Sequence, residues 1–133
     1  MASQKEKLSI LSEMIEFAKV DGQIKEPEFN FLKGVADQLG VDRETFNSLF
    51  VSEVEHVQPK SQADRILQFH RLVLLMNVDA EQQELEVTKL HNLGLSMGLP
   101  PMAIQRVLAV MNDYPGGVVP PKTLIDIFKV HYN

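Results

Sequence analysis

The chain has 133 residues, 44% hydrophobic and 23% charged, the balance of a soluble globular domain rather than of a disordered or membrane-embedded segment. Thirteen Lys and Arg against eighteen Asp and Glu leave a formal net charge of −5, which opposes attraction to a phosphate backbone and argues against nucleic acid as a partner. With no cysteine, disulfides, thiol nucleophiles, iron–sulfur clusters and Cys-ligated zinc are excluded, and oxygen and imidazole are the strong metal ligands that remain.

The first residues, Met-Ala-Ser-Gln-Lys-Glu-Lys, are charged and run directly into a helical period, without the apolar core or small-residue cleavage site of an export signal. The longest apolar run, Leu72 to Met76, is far shorter than the ~20 residues of a spanning helix. The expectation is a cytoplasmic protein with no membrane span.

Leu8, Leu11, Met14, Ile15 and Ala18 recur at three- and four-residue spacings and define one face of a first helix, with Glu6, Glu13 and Glu16 elsewhere around it. Asp21-Gly22 is a turn dipeptide, so this helix should end near Val20. A second helix starts at about Glu26, where Pro27 is tolerated in the first turn, and carries Phe29, Leu32, Val35, Ala36 and Leu39 inward as far as Gly40. Asp42 is the expected N-cap of a third helix bearing Phe46, Leu49 and Phe50, and the polar stretch from Glu53 to Pro59 reads as a connector.

The same grammar then recurs. Ile66, Phe69, Leu72, Val73 and Met76 define a helix, Asp79-Ala80 a turn, and Val87, Leu90, Leu93 and Met97 a second helix that stops at Gly98. Pro100-Pro101 opens a third with Ile104, Val107, Leu108 and Met111, Tyr114-Pro115-Gly116-Gly117 breaks the chain, and a last helix of about 120–131 carries Leu124, Ile125, Ile127, Phe128 and Val130. The reading is all-α: a single domain (1–133) of about seven helices, two pseudo-repeated three-helix units at about 4–53 and 61–112, and a C-terminal helix.

At an offset of 58 residues the copies agree in apolar positions (Leu11 with Phe69, Leu32 with Leu90, Phe46 with Ile104) and in Gly40 with Gly98. They also agree in acids: Asp21 with Asp79, Glu26 with Glu84, and Glu28 with Glu86. The segment Asp21-Gly22-x-Ile24-x-x-x-Glu28 looks like the back half of an EF-hand loop. However, the first and third ligand positions of that register fall on Phe17 and Lys19, which supply no anionic oxygen. In the second copy they fall on Leu75 and Asn77, so a calcium loop of that type is not expected.

The surviving pattern resembles the TerB-like domains linked with bacterial tellurite resistance. Ala18, Asp21, Gly22, Ile24 and Glu28 match that family's signature, and Asp79 and Glu86 match its second occurrence, over nearly the whole chain to about residue 111. Lys25, Pro27 and Ala80 depart from it. The resemblance implies a helical domain with a duplicated three-helix unit and an additional helix, acting as a non-enzymatic stress-response module whose acids coordinate metal.

On the residues alone, two readings stand side by side. If the two turns converge, Asp21, Glu28, Asp79 and Glu86 would repel, by roughly 4 kcal/mol for a pair 4 Å apart at an effective dielectric near 20. A hard divalent cation such as Ca²⁺, Mg²⁺ or Mn²⁺ would relieve this. Alternatively the two glutamates cap helix N-termini, for about 0.3–1 kcal/mol each, and the aspartates shape turns.

His56, His70, His91 and His131 lack the i, i+4 spacing of a helical zinc site, and His70 and His91 read as partly buried helix residues or surface positions. No nucleophile elbow, phosphate loop or dinucleotide fingerprint is present, which leaves a carboxylate-based hydrolase as the enzymatic alternative. Met76, Met97, Met102 and Met111 read as core filling, with an adaptable protein-binding groove as the alternative. The apolar tail from Val118 through Phe128 suggests docking onto the bundle or contact with another subunit, which would make a homodimer. A protein partner is therefore expected beside, or in place of, a cation.

Overall fold

The computed structural model describes residues 3–19, 24–52, 57–59, 61–78 and 83–131, with 83–85, 116 and 131 described in backbone only. Seven α-helices and no strand occur among them, and the chain is all-α. No described helix is long and apolar enough to cross a membrane. The helices fall into two compact units, Met1–Pro59 and Lys60–Asn133, which divide at the proline connector.

The first unit holds α1 (Gln4–Ala18), α2 (Glu26–Leu39) and α3 (Arg43–Ser48). Helix α1 starts at Ser3, whose hydroxyl accepts the Glu6 amide at 3.2 Å, one of the N–H groups a helix start leaves without a backbone partner. It packs on α2 and buries Ile10, Leu11, Met14, Ile15, Phe17 and Ala18. The buried surface is therefore wider than the single face the spacing predicts: Ile10 and Phe17 join it, Leu8 is half-buried, and Glu13, which the spacing puts off that face, is buried as well.

Asp42 caps α3, with its Oδ1 accepting the Thr45 amide at 2.7 Å, and this bond holds its carboxyl below the ordinary range. Helix α3 ends at Ser48, whose Oγ donates to the Thr45 carbonyl at 2.6 Å; the Ser48 carbonyl accepts both the Ser52 hydroxyl at 2.7 Å and the Ser52 amide at 3.1 Å. Phe29, Phe46 and Phe50 pack with ring centroids 5.1 to 5.7 Å apart. The connector is tied to α1, since Ser9 Oγ donates to the Val57 carbonyl at 3.1 Å and accepts the Val57 amide at 2.9 Å.

The second unit holds α4 (Gln62–Val78), α5 (Gln83–Ser96), α6 (Pro101–Val110) and α7 (Pro121–His131), with two 3₁₀ turns between α6 and α7. Helix α4 packs on α5, α5 on α6, and α6 on α7. Its core includes Phe69, Leu72, Val73, Leu75, Met76, Leu90, Ile104, Val107, Leu124 and Phe128, with Phe128 edge-on to Phe69 at 6.1 Å. The tail thus docks inside its own unit, through Val119, Leu124 and Phe128, while Val118 and Ile125 stay exposed. Met76, Met97 and Met111 fill core, but Met102 is exposed.

The two units share their helix-stop geometry. The Val41 amide donates to the Ala36 carbonyl at 2.9 Å and the Gly40 amide to Asp37 at 3.1 Å. The Leu99 amide donates to Gly94 at 3.1 Å and the Gly98 amide to Leu95 at 3.0 Å, so each bond recurs 58 residues on. Gly40 and Gly98 have φ of 74° and 78°, the left-handed conformation that this pair of bonds demands.

Candidate acidic site

Helix α2 begins without a side-chain cap, because Lys25 at the N-cap position makes no such bond, and Pro27 occupies the first turn where its missing N–H costs nothing. Glu28 is the third helical residue. It lies four residues before Leu32 and seven and eight before Val35 and Ala36, so helical phase puts it on the apolar stripe rather than on the solvent face. It is 3% exposed, whereas Glu26, two residues earlier, is exposed.

The second unit repeats the placement. Glu86 is the fourth residue of α5 and lies four before Leu90 and eight before Gly94, both buried, and it is itself 7% exposed. Burying a carboxylate carries a desolvation cost that must be offset by hydrogen bonds or opposite charge. The positive end of a helix dipole offsets part of it, typically 0.3–1 kcal/mol and up to about 2 kcal/mol in partly buried geometry.

The other proposed ligands, Asp21 and Asp79, lie outside the described residues, as does the side chain of Glu84. Among the described residues no group of three or more His, Asp or Glu side chains is placed to hold a metal ion. The structure therefore describes two of the four acids, each buried on the second helix of its own unit.

Besides Ser9, whose hydroxyl holds Val57, two further buried polar side chains were not picked out by the sequence reading. Glu13 is 9% exposed and lies between Ile10 and Phe17 on the widened face of α1. Gln68 is 1% exposed on α4, and its Oε1 accepts from Arg71 Nη1 at 3.2 Å. Burial holds the Arg71 guanidinium below its ordinary range, and the charge of Asp64 acts in the opposite sense. Among the histidines, His70 is 8% exposed and its Nε2 lies 3.0 Å from the Val119 carbonyl. Burial pushes that imidazole below its ordinary value, more strongly than the Val119 bond raises it.

Fold and site together define an all-α protein in which the second helix of each unit carries a buried carboxylate in its opening turn. No protein-family model matches the chain, and neither a curated protein nor a solved structure matches it.

Proposed function

We propose that the chain is a non-enzymatic, cytoplasmic binding module of the TerB-like kind, working in a stress response, whose paired acidic turns, Asp21 with Glu28 and Asp79 with Glu86, take up a divalent cation or a charged partner. The observation that carries this reading is the burial of Glu28 and Glu86, at an offset of 58 residues, on the apolar stripes of equivalent helices. A glutamate kept only for solubility would sit on the opposite face. Oxygen ligands favour Ca²⁺, Mg²⁺ or Mn²⁺ over softer metals. The common offset of acids, apolar positions and helix stops also supports an origin by duplication.

Calorimetric titration of the native chain with each of the three ions tests the cation arm. Saturable heat that disappears in Glu28→Gln/Glu86→Gln and in Asp21→Asn/Asp79→Asn is the expected result. No saturable heat for any ion, or heat unchanged in both double variants, removes it.

A second reading is favoured by the position of Glu28 in the first turn of a helix whose N-cap makes no side-chain bond. Here the acids only support helix starts, and function resides in protein contacts. On that reading Glu28→Gln lowers the melting temperature in chelator and in Mn²⁺ alike.

A further inference from the structure

The second unit contains a cavity of about 470 Å³ between the first half of α4 and the start of α7, which nothing in the acidic-site reading uses. Small-molecule sites commonly occupy roughly 300–1,000 Å³, are mostly apolar, and carry a few polar groups that fix orientation. This cavity fits that description. Ile66 and Leu67 of α4 face Leu124 and Ile125 of α7 across it, and His70 and Asp64 supply polar atoms in its wall. Leu67 and Ile125 are 45% and 52% exposed and leave it open, while Leu124 is 3% exposed at its base.

The wall offers acceptors at His70 and Asp64, and Gln62, the one side-chain amide among the described lining residues, can both donate and accept. The Val119 carbonyl can only accept, so His70 Nε2 carries the proton of their 3.0 Å bond. In a neutral ring Nδ1 is then an acceptor, and burial keeps this ring neutral at physiological pH. Asp64 is a second acceptor, and no Lys or Arg is among the described residues lining the cavity. A carboxylate, sulfate or phosphate would meet the like charge of Asp64, with no cationic side chain among the described lining residues to offset it. An apolar molecule ending in a hydroxyl would bury its body and donate to the ring.

We propose that the α4–α7 cavity binds a neutral, largely apolar small molecule whose single hydroxyl donates to His70 Nδ1. The site is independent of the acids at Glu28 and Glu86 and requires no metal.

The test uses the full chain at pH 7.5 and three probes with the same eight-carbon body: 1-octanol, octyl methyl ether, which has no donor, and octanoate, which is anionic. NMR titration should show saturable amide shifts at Leu67 and Ile125 with 1-octanol, together with a shift of the His70 Nδ1 resonance. Affinity for the ether should be weaker by ~10-fold, the worth of one hydrogen bond, and octanoate should not bind. His70→Phe keeps a ring but no acceptor and should make the alcohol and the ether equal. Ile125→Asp, at a half-exposed position, should weaken both by a similar factor and leave the fold intact. If His70→Phe fails to fold, the Nδ1 shift in the native chain and Ile125→Asp carry the decision. Equal binding of alcohol and ether to the native chain overturns the proposal. So do shifts that survive Ile125→Asp, or saturation only by an amphipathic helical peptide, which would assign the cavity to a protein partner.

Discussion

His70 illustrates how one buried polar side chain couples chemistry to stability. Its ring ties the carbonyl of Val119 to α4 and sits 8% exposed, in an environment that disfavours the imidazolium. A histidine whose pKa is lower folded than unfolded contributes stability that is fully present above the ordinary value of 6.5 and is lost as pH falls through the folded value. Acidification from pH 7.5 to 5 should therefore lower the melting temperature. In His70→Gln, which can still donate to Val119 but does not titrate, the slope of melting temperature against pH over that window should flatten. Unequal protonation of a residue other than His70 would leave the slope unchanged in the variant.

The helix stops and the α5–α6 contact set the elements. A non-glycine residue in the left-handed region costs roughly 1–2 kcal/mol, so Gly40→Ala and Gly98→Ala should each lower urea stability by about that amount. The two losses should be similar, because φ and both capping bonds recur in the two units. Gly94 is a different case, since a Cβ there would lie 2.7 Å from Ile104 Cδ1 and 3.1 Å from Phe69 Cε1. Gly94→Ala gains helix propensity of ~1 kcal/mol but overpacks a core contact for ~1–3 kcal/mol. The net expectation is a loss of about 1 kcal/mol in denaturant unfolding.

These elements were largely legible beforehand. Pro27, Pro101 and Pro121 mark helix starts, Gly40 and Gly98 mark stops, and the observed helices begin at Glu26, Pro101 and Pro121 and stop at those glycines. The length of α3 was not legible, because Leu49 and Phe50 keep the apolar spacing past Ser48, where the helix ends, and spacing marks a face rather than a terminus.

At the scale of the whole molecule, the proposal of a cation makes a prediction about global stability. A ligand that binds only the folded chain adds RT ln(1 + [L]/Kd), about 2.7 kcal/mol at a hundredfold excess over Kd. For a chain of this length that corresponds to a rise of roughly 10 °C in melting temperature. Scanning the native chain with and without Mn²⁺ should show such a rise, EDTA should reverse it, and Glu28→Gln/Glu86→Gln should abolish it. The net charge of −5 adds a general attraction for divalent cations, which 0.3 M NaCl should suppress without removing a specific site.

The sequence alone determined that the chain is helical, where most helices begin and end, and that Glu28 and Glu86 occupy corresponding positions. Each of these follows from local chemistry: the period of apolar residues, the fixed φ of proline, and the left-handed freedom of glycine. Helical phase even places Glu28 on the stripe of Leu32 and Val35, so its burial was readable from spacing. Tertiary structure decided the rest. A period gives the direction of a helix face but not how much of the circumference its neighbours cover, which is why Ile10, Phe17 and Glu13 of α1 are buried beyond the expected stripe. The cavity beside His70 likewise exists only because α7 docks through Leu124 and Phe128 and leaves Leu67 and Ile125 uncovered.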